Sequence, residues 1–385
     1  MEELSVSHTP WKIGLEVELL APKGSSRQTL AARIAGHASG RVLSRVFHHE
    51  SEPSKVVGQP VFENLTLGFE VRDARGSLIA RCVDDLTLQA DLERTHPPQP
   101  GWFRVVSDDA RILRLAARHA DLTQDLHGAL SPVAELFGSA LESGEGGMWR
   151  LSDVSGASIL IGAPLPGERE RPCELITAPL IGERALVIGE LLDHARALDF
   201  TIPQEGALHV HFDAAPLKSA SAIKLLIGFF YEWGETLRWL VKTNPRCTRL
   251  GGWDDALVSA VYMPGFERLS WEETRAKLLE LPLTKFCDYN LSNLARALPH
   301  KDTFEVRTLP STLDPDEVIS AVELYEGILL SFAEGHELKS APPESLEALK
   351  PSVIQLLEEL REFKLLSSER TSDWIERVRA DSSAP

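Results

Sequence analysis

Hydrophobic and polar residues alternate along several short segments of the chain, and this period of two predicts β-strands. The first such segment is WKIGLEVELL at 11–20, and similar patterning runs from 42 to about 89. Within the second stretch, the Asp-Ala-Arg-Gly run at 73–76 is typical of a hairpin turn. Further strands are predicted for CELITAPL at 173–180, ALHVHFD at 207–213 and TFEVRTLP at 303–310.

Apolar residues spaced three and four apart predict helices between these strands. The segments with this spacing are 109–141, 180–199, 219–241 and 314–335. Asp314-Pro315 is a typical helix start, since proline is well tolerated at the first helical position. A further helical segment is predicted at 344–377, interrupted by Pro351, and residues 378–385 are predicted to be a disordered tail.

The order of these elements predicts an α+β fold with a mainly antiparallel sheet, because strands and helices show no regular βαβ alternation. With 385 residues, the chain exceeds the size at which one hydrophobic core usually stops growing. We therefore expect one large domain at 11–335 that contains an inserted or elaborated region at about 42–145. The helical segment and the tail follow this domain.

Composition and charge narrow the classes of function. The chain is 43% hydrophobic and 25% charged, which is ordinary for a globular protein. Its net charge of −17 argues against nucleic-acid binding, which needs clustered Lys and Arg. The same charge argues against binding to anionic membranes. The most apolar stretch, 222–241, contains several charged residues, so it predicts a core helix rather than a membrane span.

The first residues and the cysteines together favour a cytoplasmic protein. The segment MEELSVSHTPWKIG has neither the basic nor the apolar region of a signal peptide. Four cysteines, Cys82, Cys173, Cys247 and Cys287, lie far apart without CxxC spacing. A disulfide framework or a zinc knuckle is therefore not expected, and a reducing compartment fits best.

Three of the predicted strands carry ionisable residues on one face and apolar residues on the other, because side chains two positions apart share a face. The ionisable faces are formed by Glu16 and Glu18, by His209, His211 and Asp213, and by Glu305 and Arg307. A solvated sheet face is the simplest interpretation of any one strand. The combination favours a site for Mg²⁺ or Mn²⁺, with Arg307 suited to binding a phosphate through its planar fork.

The motifs IGLEVE, CELITAPL, GALHVHFD and TFEVRTLPSTLD, in this order, resemble the amidoligase family of the glutamine synthetase and glutamate–cysteine ligase superfamily. The segment MWRLSDVSGAS resembles another family motif through Trp149, Asp153 and Ser155. The resemblance implies a glutamine-synthetase-like catalytic fold, with a curved, mainly antiparallel sheet flanked by helices. The predicted 42–145 region would be an inserted α/β subdomain, and it is longer than a minimal family member needs.

By position, the resemblance also implies a role for each motif residue. The implied metal ligands are Glu16, Glu18, Glu174, His209 and Glu305. His209 and His211 would approach metal and nucleotide phosphate, and Arg307 would stabilise the phosphoryl group during transfer. Glu18, Glu305 and Arg307 are the implied catalytic residues. Cys173 precedes Glu174 directly and is expected to face the core.

Four further residues are weaker candidates for binding substrate. They are Asp153, Ser155, Asn290 and Arg246. Helix capping is an alternative role for Asn290, which lies in KFCDYNLSNL. An ordinary position on a surface loop is an equally good interpretation of Arg246.

The resemblance implies an ATP- and Mg²⁺-dependent (or Mn²⁺-dependent) ligase that joins a carboxylate, through an acyl phosphate, to an amine. Amino acids or peptides are the expected substrates, and the sequence leaves formation of a homo-oligomer open. A phosphotransferase of the guanidino-kinase type is the nearest alternative. A metal-dependent hydrolase that uses the His-x-His strand, and a catalytically inactive scaffold, belong to other classes.

Overall fold

The computed structural model describes residues 11–49, 61–247, 249–298 and 301–381. The expectation about a signal peptide concerns residues 1–14, of which residues 1–10 lie outside this part of the chain. Residues 50–60 of the predicted insertion and residues 382–385 of the predicted tail also lie outside it.

Helices and strands alternate irregularly along the described chain. The strands are β1 Ile13–Leu20, β2 Arg41–His49, β3 Val61–Arg72, β4 Leu78–Val83, β5 Trp102–Ser107, β6 Leu141–Ser143, β7 Trp149–Ser152, β8 Ser158–Pro164, β9 Pro172–Thr177, β10 Ala207–Asp213, β11 Tyr289–Asn290 and β12 Thr303–Pro310. The helices are α1 Arg27–His37, α2 Ala110–His119, α3 Leu126–Phe137, α4 Arg184–Arg196, α5 Ala220–Leu240, α6 Asp255–Val261, α7 Trp271–Leu279, α8 Ser292–Arg296, α9 Pro315–Ala333, α10 Leu346–Glu362 and α11 Ser368–Ala380. This mixture of helices with a large antiparallel sheet confirms the predicted α+β class.

The described chain divides into two compact units. Unit 1 comprises residues 11–17, 179–192 and 206–381, and unit 2 comprises residues 18–178 and 193–205. This division differs from the predicted one, which has a domain at 11–335 with an insertion at 42–145. The predicted domain limits stay predictions.

Unit 1 contains antiparallel pairing of β1 with β10, of β10 with β12, and of β12 with β11. One face of these strands is apolar, and Val210, Phe212, Phe304 and Val306 are fully buried there. Phe230 of α5 stacks against Phe304 at 5.6 Å between ring centroids. An aromatic core therefore supports the strands from this side and leaves the opposite face to the ionisable residues.

Unit 2 is organised around β3, which pairs antiparallel with β2, β4 and β5. β4 pairs with β9, and β5 continues through β8 and β7 to β6. Helices α2 and α3 cover one face of this sheet, where Leu65, Phe103, Val105 and Leu130 form a buried apolar cluster. The predicted turn at 73–76 joins β3 to β4, and Gly76 takes a positive φ of 88° that suits glycine.

The predicted helix start at Asp314-Pro315 is confirmed, since α9 begins at Pro315 and the Asp314 side chain accepts a hydrogen bond from the Asp316 N–H. The predicted interruption at Pro351 is wrong, because Pro351 lies inside α10. A buried apolar stripe on both sides of it holds the helix together despite the lost N–H. The break comes later, at Lys364, whose φ is +61°.

The prediction of a disordered tail from residue 378 is also wrong for its first residues. Helix α11 continues to Ala380. Val378 is only 2% exposed, and it extends the buried stripe formed by Trp374 and Ile375. Burial of this last apolar residue favours one further helical turn over disorder.

Candidate active site

The strand register of unit 1 places the ionisable side chains of three strands next to each other. Glu16 pairs directly with His209, and His211 pairs directly with Glu305. Glu305 in turn pairs with Asn290 of β11. Directly paired residues on antiparallel strands share a face, so these side chains form one cluster.

The cluster is buried, whereas a solvated sheet face would leave its side chains exposed. Glu16 is 9% exposed, His209 and His211 are 7% exposed, and Glu305 is 3% exposed. Buried carboxylates are costly unless they are paired or bind a metal. The simple interpretation of a solvated face therefore fails for these residues.

Glu16 lies between the two histidines. Its Oε1 is 3.1 Å from His211 Nε2, and its Oε2 is 3.3 Å from His209 Nδ1. Glu305 Oε1 is 3.8 Å from His209 Nδ1 and 3.9 Å from His211 Nε2. The two carboxylates thus face both imidazole rings across a small space.

Both carboxylate oxygens of Glu305 are held from outside the cluster. Arg307 Nη1 donates to Oε1 at 2.5 Å, and Asn290 Nδ2 donates to Oε2 at 2.7 Å. The Asn290 Oδ1 accepts a hydrogen bond from the Ser292 N–H at 2.8 Å, which fixes the orientation of the amide. Asn290 therefore touches a candidate ligand, and it also makes the capping-type contact that is its alternative role.

A β-bulge in β12 sets the position of Arg307. Leu208 pairs with Leu309 and Val210 pairs with Val306, so β12 has one residue more than β10 in this interval. The Arg307 N–H donates to the Asp288 carbonyl at 2.9 Å, and Arg307 Nε has no hydrogen-bond partner among the described residues. Bulges commonly occur beside active sites because they redirect side chains.

Charge pairing perturbs the ionisation of the cluster. Burial alone would raise the pKa of Glu16, but His211, His209 and Lys301 outweigh it and hold that pKa well below its usual range. Burial likewise opposes ionisation of Glu305, and His211 and Arg307 still lower its pKa. Burial would lower the pKa of His211, but Glu16 and Glu305 raise it.

The donor atoms fit a divalent cation. One ligand atom from each of Glu16, His211 and Glu305 lies within 4.8 Å of the other two. Separations of that size allow several donors to share one ion at about 2.0–2.6 Å. Two carboxylates and one imidazole suit Mn²⁺ or Mg²⁺ better than a soft metal. His211, which the resemblance left between metal and phosphate, is thus placed as a candidate metal ligand.

Two implied ligands belong to unit 2. Glu18 is buried, at 5% exposure, and Glu174 is partly buried on β9 opposite Val83 of β4. Their roles as metal ligands stay predictions. Cys173 is fully buried, as predicted for a core residue.

The other three weaker substrate candidates, Asp153, Ser155 and Arg246, lie on exposed loops of their own units. Asp153 Oδ1 accepts hydrogen bonds from the Ser155 hydroxyl and from the N–H groups of Ser155 and Ala157, which shapes the β7–β8 turn. Arg246 is exposed in unit 1, and its backbone N–H donates to Asn244 Oδ1 at 3.0 Å. These contacts account for local structure, and substrate binding by these residues stays a prediction.

Two residues at the cluster were not singled out from the sequence. Thr303 Oγ1 lies 3.1 Å from His211 Nδ1, and Lys301 Nζ lies 3.7 Å from Glu16 Oε1. Thr303 precedes Glu305 by two positions on β12, so the period of two could have placed it on the same face. Lys301 lies before the strand, where periodicity carries no information.

Comparison with protein families gives one finding for this chain. A family model described as "putative amidoligase enzyme" matches residues 9–329, which include every member of the cluster. Comparison with curated proteins gives no match. Among the described helices, none has both the length and the hydropathy needed to cross a membrane. The matched segment covers most of the chain and therefore establishes its family.

Proposed function

The chain belongs to the amidoligase family, which indicates an enzyme that forms amide bonds, and we propose that it is an ATP- and Mg²⁺-dependent carboxylate–amine ligase. The observation that carries this proposal is the buried cluster of Glu16, His211 and Glu305 with Arg307 beside it. Such a set combines ligands for a divalent cation with a donor for phosphate oxygens. Both are needed for phosphoryl transfer from ATP to a carboxylate.

Glu16, His211 and Glu305 would hold the cation, with Mn²⁺ as an alternative to Mg²⁺. When bound, the cation would neutralise negative charge between the β- and γ-phosphates of ATP. His209 lies 3.3 Å from Glu16 and would orient that carboxylate or approach the nucleotide. Asn290 and Arg307 keep Glu305 in one orientation from outside the cluster.

Arg307 would bind the phosphoryl group during its transfer. Its Nη1 is bonded to Glu305, which fixes the guanidinium, while its Nε has no partner among the described residues. A fixed guanidinium with a remaining donor stabilises developing charge without reorganising during the reaction. The neighbouring carboxylate also keeps the pKa of Arg307 raised, so the side chain stays cationic.

The proposed reaction has two steps. A carboxylate oxygen of the first substrate attacks the γ-phosphorus of ATP, the bond to the bridging oxygen breaks, and ADP leaves with formation of an acyl phosphate. The amine of the second substrate then attacks the acyl carbon, phosphate leaves, and the nitrogen loses a proton. Positioning and charge stabilisation suffice for both steps, so no nucleophilic side chain is required.

Amino acids or peptides are the proposed substrates, and a reducing cytoplasm is the proposed location. The second proposal is supported by Cys82, Cys173 and Cys287, which are buried free thiols. A reducing compartment keeps thiols in this state.

Product analysis tests the proposed function. The full-length chain is incubated with Mg²⁺, ATP and mixtures of candidate acids and amines, and ADP, AMP, phosphate and new amides are measured. We expect ADP, phosphate and an amide in equal amounts. Formation of AMP, or turnover without ATP, would contradict the proposal, and the latter would favour a hydrolase. A phosphorylated product without free phosphate would indicate a phosphotransferase.

Substitution ties the activity to the cluster. Glu305→Gln keeps the shape of the side chain and removes its charge, and we expect at least a hundredfold loss of kcat/KM, since electrostatic groups commonly contribute this much. Glu376→Gln in α11, at an exposed position, is the matched control. Equal activity of the two variants would refute the assignment of Glu305.

A further inference from the structure

A buried arginine of unit 2 lacks the counter-ion that a buried charge normally has. Arg27, the first residue of α1, is 4% exposed and makes no ion pair with a carboxylate in the described parts of the chain. Its side chain donates to main-chain carbonyls instead, from Nε to Leu67 at 2.9 Å and from Nη1 to Arg169 and Pro172. Burial lowers the pKa of Arg27 despite the nearby charge of Asp84. A buried charge without a partner is unfavourable, so an anionic ligand would stabilise this part of the fold.

Arg27 lines a cavity of about 260 Å³ that is formed by residues of unit 2 alone. The walls come from the first turn of α1, from β3 and from the segments 99–102 and 165–170. Because Nε and Nη1 are engaged, Nη2 is the guanidinium nitrogen of Arg27 without a hydrogen-bond partner among the described residues. One water needs only about 10–15 Å³, so the cavity has room for a small molecule.

The N-terminus of α1 supplies a second donor at the same cavity. The N-cap residue Ser26 makes no side-chain capping bond, and the first turn contains no acidic residue. Gln28 also lines the cavity, and its backbone N–H has no partner within the described chain. The helix dipole places partial positive charge at this end, in addition to the charge of Arg27. Free backbone N–H groups at a helix N-terminus are a common binding site for phosphate.

The other charged residues that line the cavity do not replace this counter-ion. Arg169 is bound to Asp84 through Nε and Nη2. Glu170 is the one acidic residue among the lining residues, and it contacts Arg27 through its main chain, whose carbonyl accepts the Arg27 N–H at 3.0 Å. The Glu170 side chain is partly exposed, so solvent screens its charge. The positive charge of Arg27 therefore remains for a ligand.

We propose that this cavity binds a phosphate group, either as free phosphate or on a small phosphomonoester. Carboxylate recognition by arginine typically uses two parallel N–H bonds from one edge of the guanidinium. Main-chain carbonyls already occupy Nε and Nη1 of Arg27, so each edge has only one nitrogen left. Nη2 and the Gln28 N–H belong to separate groups that need not share a plane, which suits a tetrahedral anion. None of the lining residues belongs to the predicted metal or catalytic set, so the inference does not depend on the proposed ligase activity.

Calorimetric titration of the full-length chain tests the inference, with inorganic phosphate and glycerol phosphate as ligands and chloride at matched ionic strength. Gln28 is exposed, and Gln28→Glu places a permanent carboxylate where the helix dipole favours it. The fold is thereby kept while the site gains a competing anion. We expect the Kd for both ligands to rise about 10-fold to 100-fold, as for loss of one hydrogen bond to a charged group.

Gln124→Glu is the matched control, because it makes the same change at an exposed position of unit 2 beside the N-terminus of α3. This variant should bind both ligands like the wild type. Arg27→Gln removes the buried charge and should abolish binding, with circular dichroism to verify the fold. If Arg27→Gln does not fold, the comparison of Gln28→Glu with Gln124→Glu still tests the site.

The two ligands identify the source of the phosphate group. Tighter binding of glycerol phosphate would assign the site to a phosphomonoester, equal or weaker binding would assign it to free phosphate, and both results support the inference. Absence of phosphate binding by the wild-type chain, or equal Kd values for the wild type and Gln28→Glu, would overturn it. The titration needs no turnover, so failure of the ligase proposal and failure of the phosphate site are separate outcomes.

Discussion

Replacing Asn290 by alanine is the most informative perturbation of the site, because Asn290 contacts a proposed ligand without being one. The change removes the amide that donates to Glu305 Oε2 at 2.7 Å and accepts from the Ser292 N–H at 2.8 Å. Asn290 is 2% exposed and Glu305 is 3% exposed, so water has little access to replace either bond.

The expected magnitude follows from the charge of Glu305. A hydrogen bond to a charged group contributes about 1.5–3 kcal/mol, which corresponds to roughly 10-fold to 100-fold in an equilibrium constant. Loss of a residue that orients a metal ligand typically weakens metal binding by a similar factor. We therefore expect the Kd for Mn²⁺ to rise about 10-fold to 100-fold in Asn290→Ala.

The assay is titration of the full-length chain with Mn²⁺, with the free ion measured by electron paramagnetic resonance. Circular dichroism at the titration temperature verifies that each variant is folded. Asn293→Ala, a partly buried asparagine in the adjoining α8, is the control and should bind Mn²⁺ like the wild type. If Asn290→Ala bound Mn²⁺ as tightly as Asn293→Ala, the argument that Asn290 fixes the Glu305 carboxylate would be wrong.

Three further predictions concern stability. Asp84→Ala leaves the buried guanidinium of Arg169 without its carboxylate, so the free energy of unfolding measured with denaturant should fall by about 3–5 kcal/mol. A decrease of less than about 1 kcal/mol would contradict this prediction. Gly327→Ala would place its Cβ 2.6 Å from a backbone carbonyl oxygen, whereas Gly36→Ala has no atom within 4 Å, so only the first should lower Tm. The pKa of His211 is higher in the folded than in the unfolded protein, so protonated His211 stabilises the fold. This contribution is fully present at pH values below the pKa of the histidine in the unfolded chain, and it is lost as the pH rises through the pKa of His211 in the folded protein. The metal-free protein should therefore show a falling Tm over that interval, which saturating Mn²⁺ should abolish; an unchanged slope would refute this.

The period of two in the amino-acid sequence is sufficient to identify most of the cluster. Glu16, His209, His211 and Glu305 each lie on a strand whose other face is apolar, and the fold buries them all on one side of unit 1. The pairing register cannot be predicted in the same way, because it depends on contacts between segments that are nearly two hundred residues apart.

The contacts from irregular segments cannot be found from periodicity either. Asn290 lies on a strand of only two residues, where no periodic pattern exists, so its hydrogen bond to Glu305 depends on tertiary structure alone. The bulge at Arg307 cannot be predicted from the sequence either, because it shifts the pairing of β12 without changing the residue types of the strand. Pro351 shows the opposite failure, where a strong local signal is overridden by burial of the surrounding apolar stripe.

The pairing of charges at the cluster has a consequence for how the protein is made. When His211 is protonated, it, Arg307 and Lys301 together offset the negative charges of Glu16 and Glu305. We expect the nascent chain to reach its native state before it acquires a cation. Under the proposed metal-dependent function, a cell starved of divalent metal would then accumulate intact but idle enzyme, and resupply of the ion would restore activity without new protein synthesis.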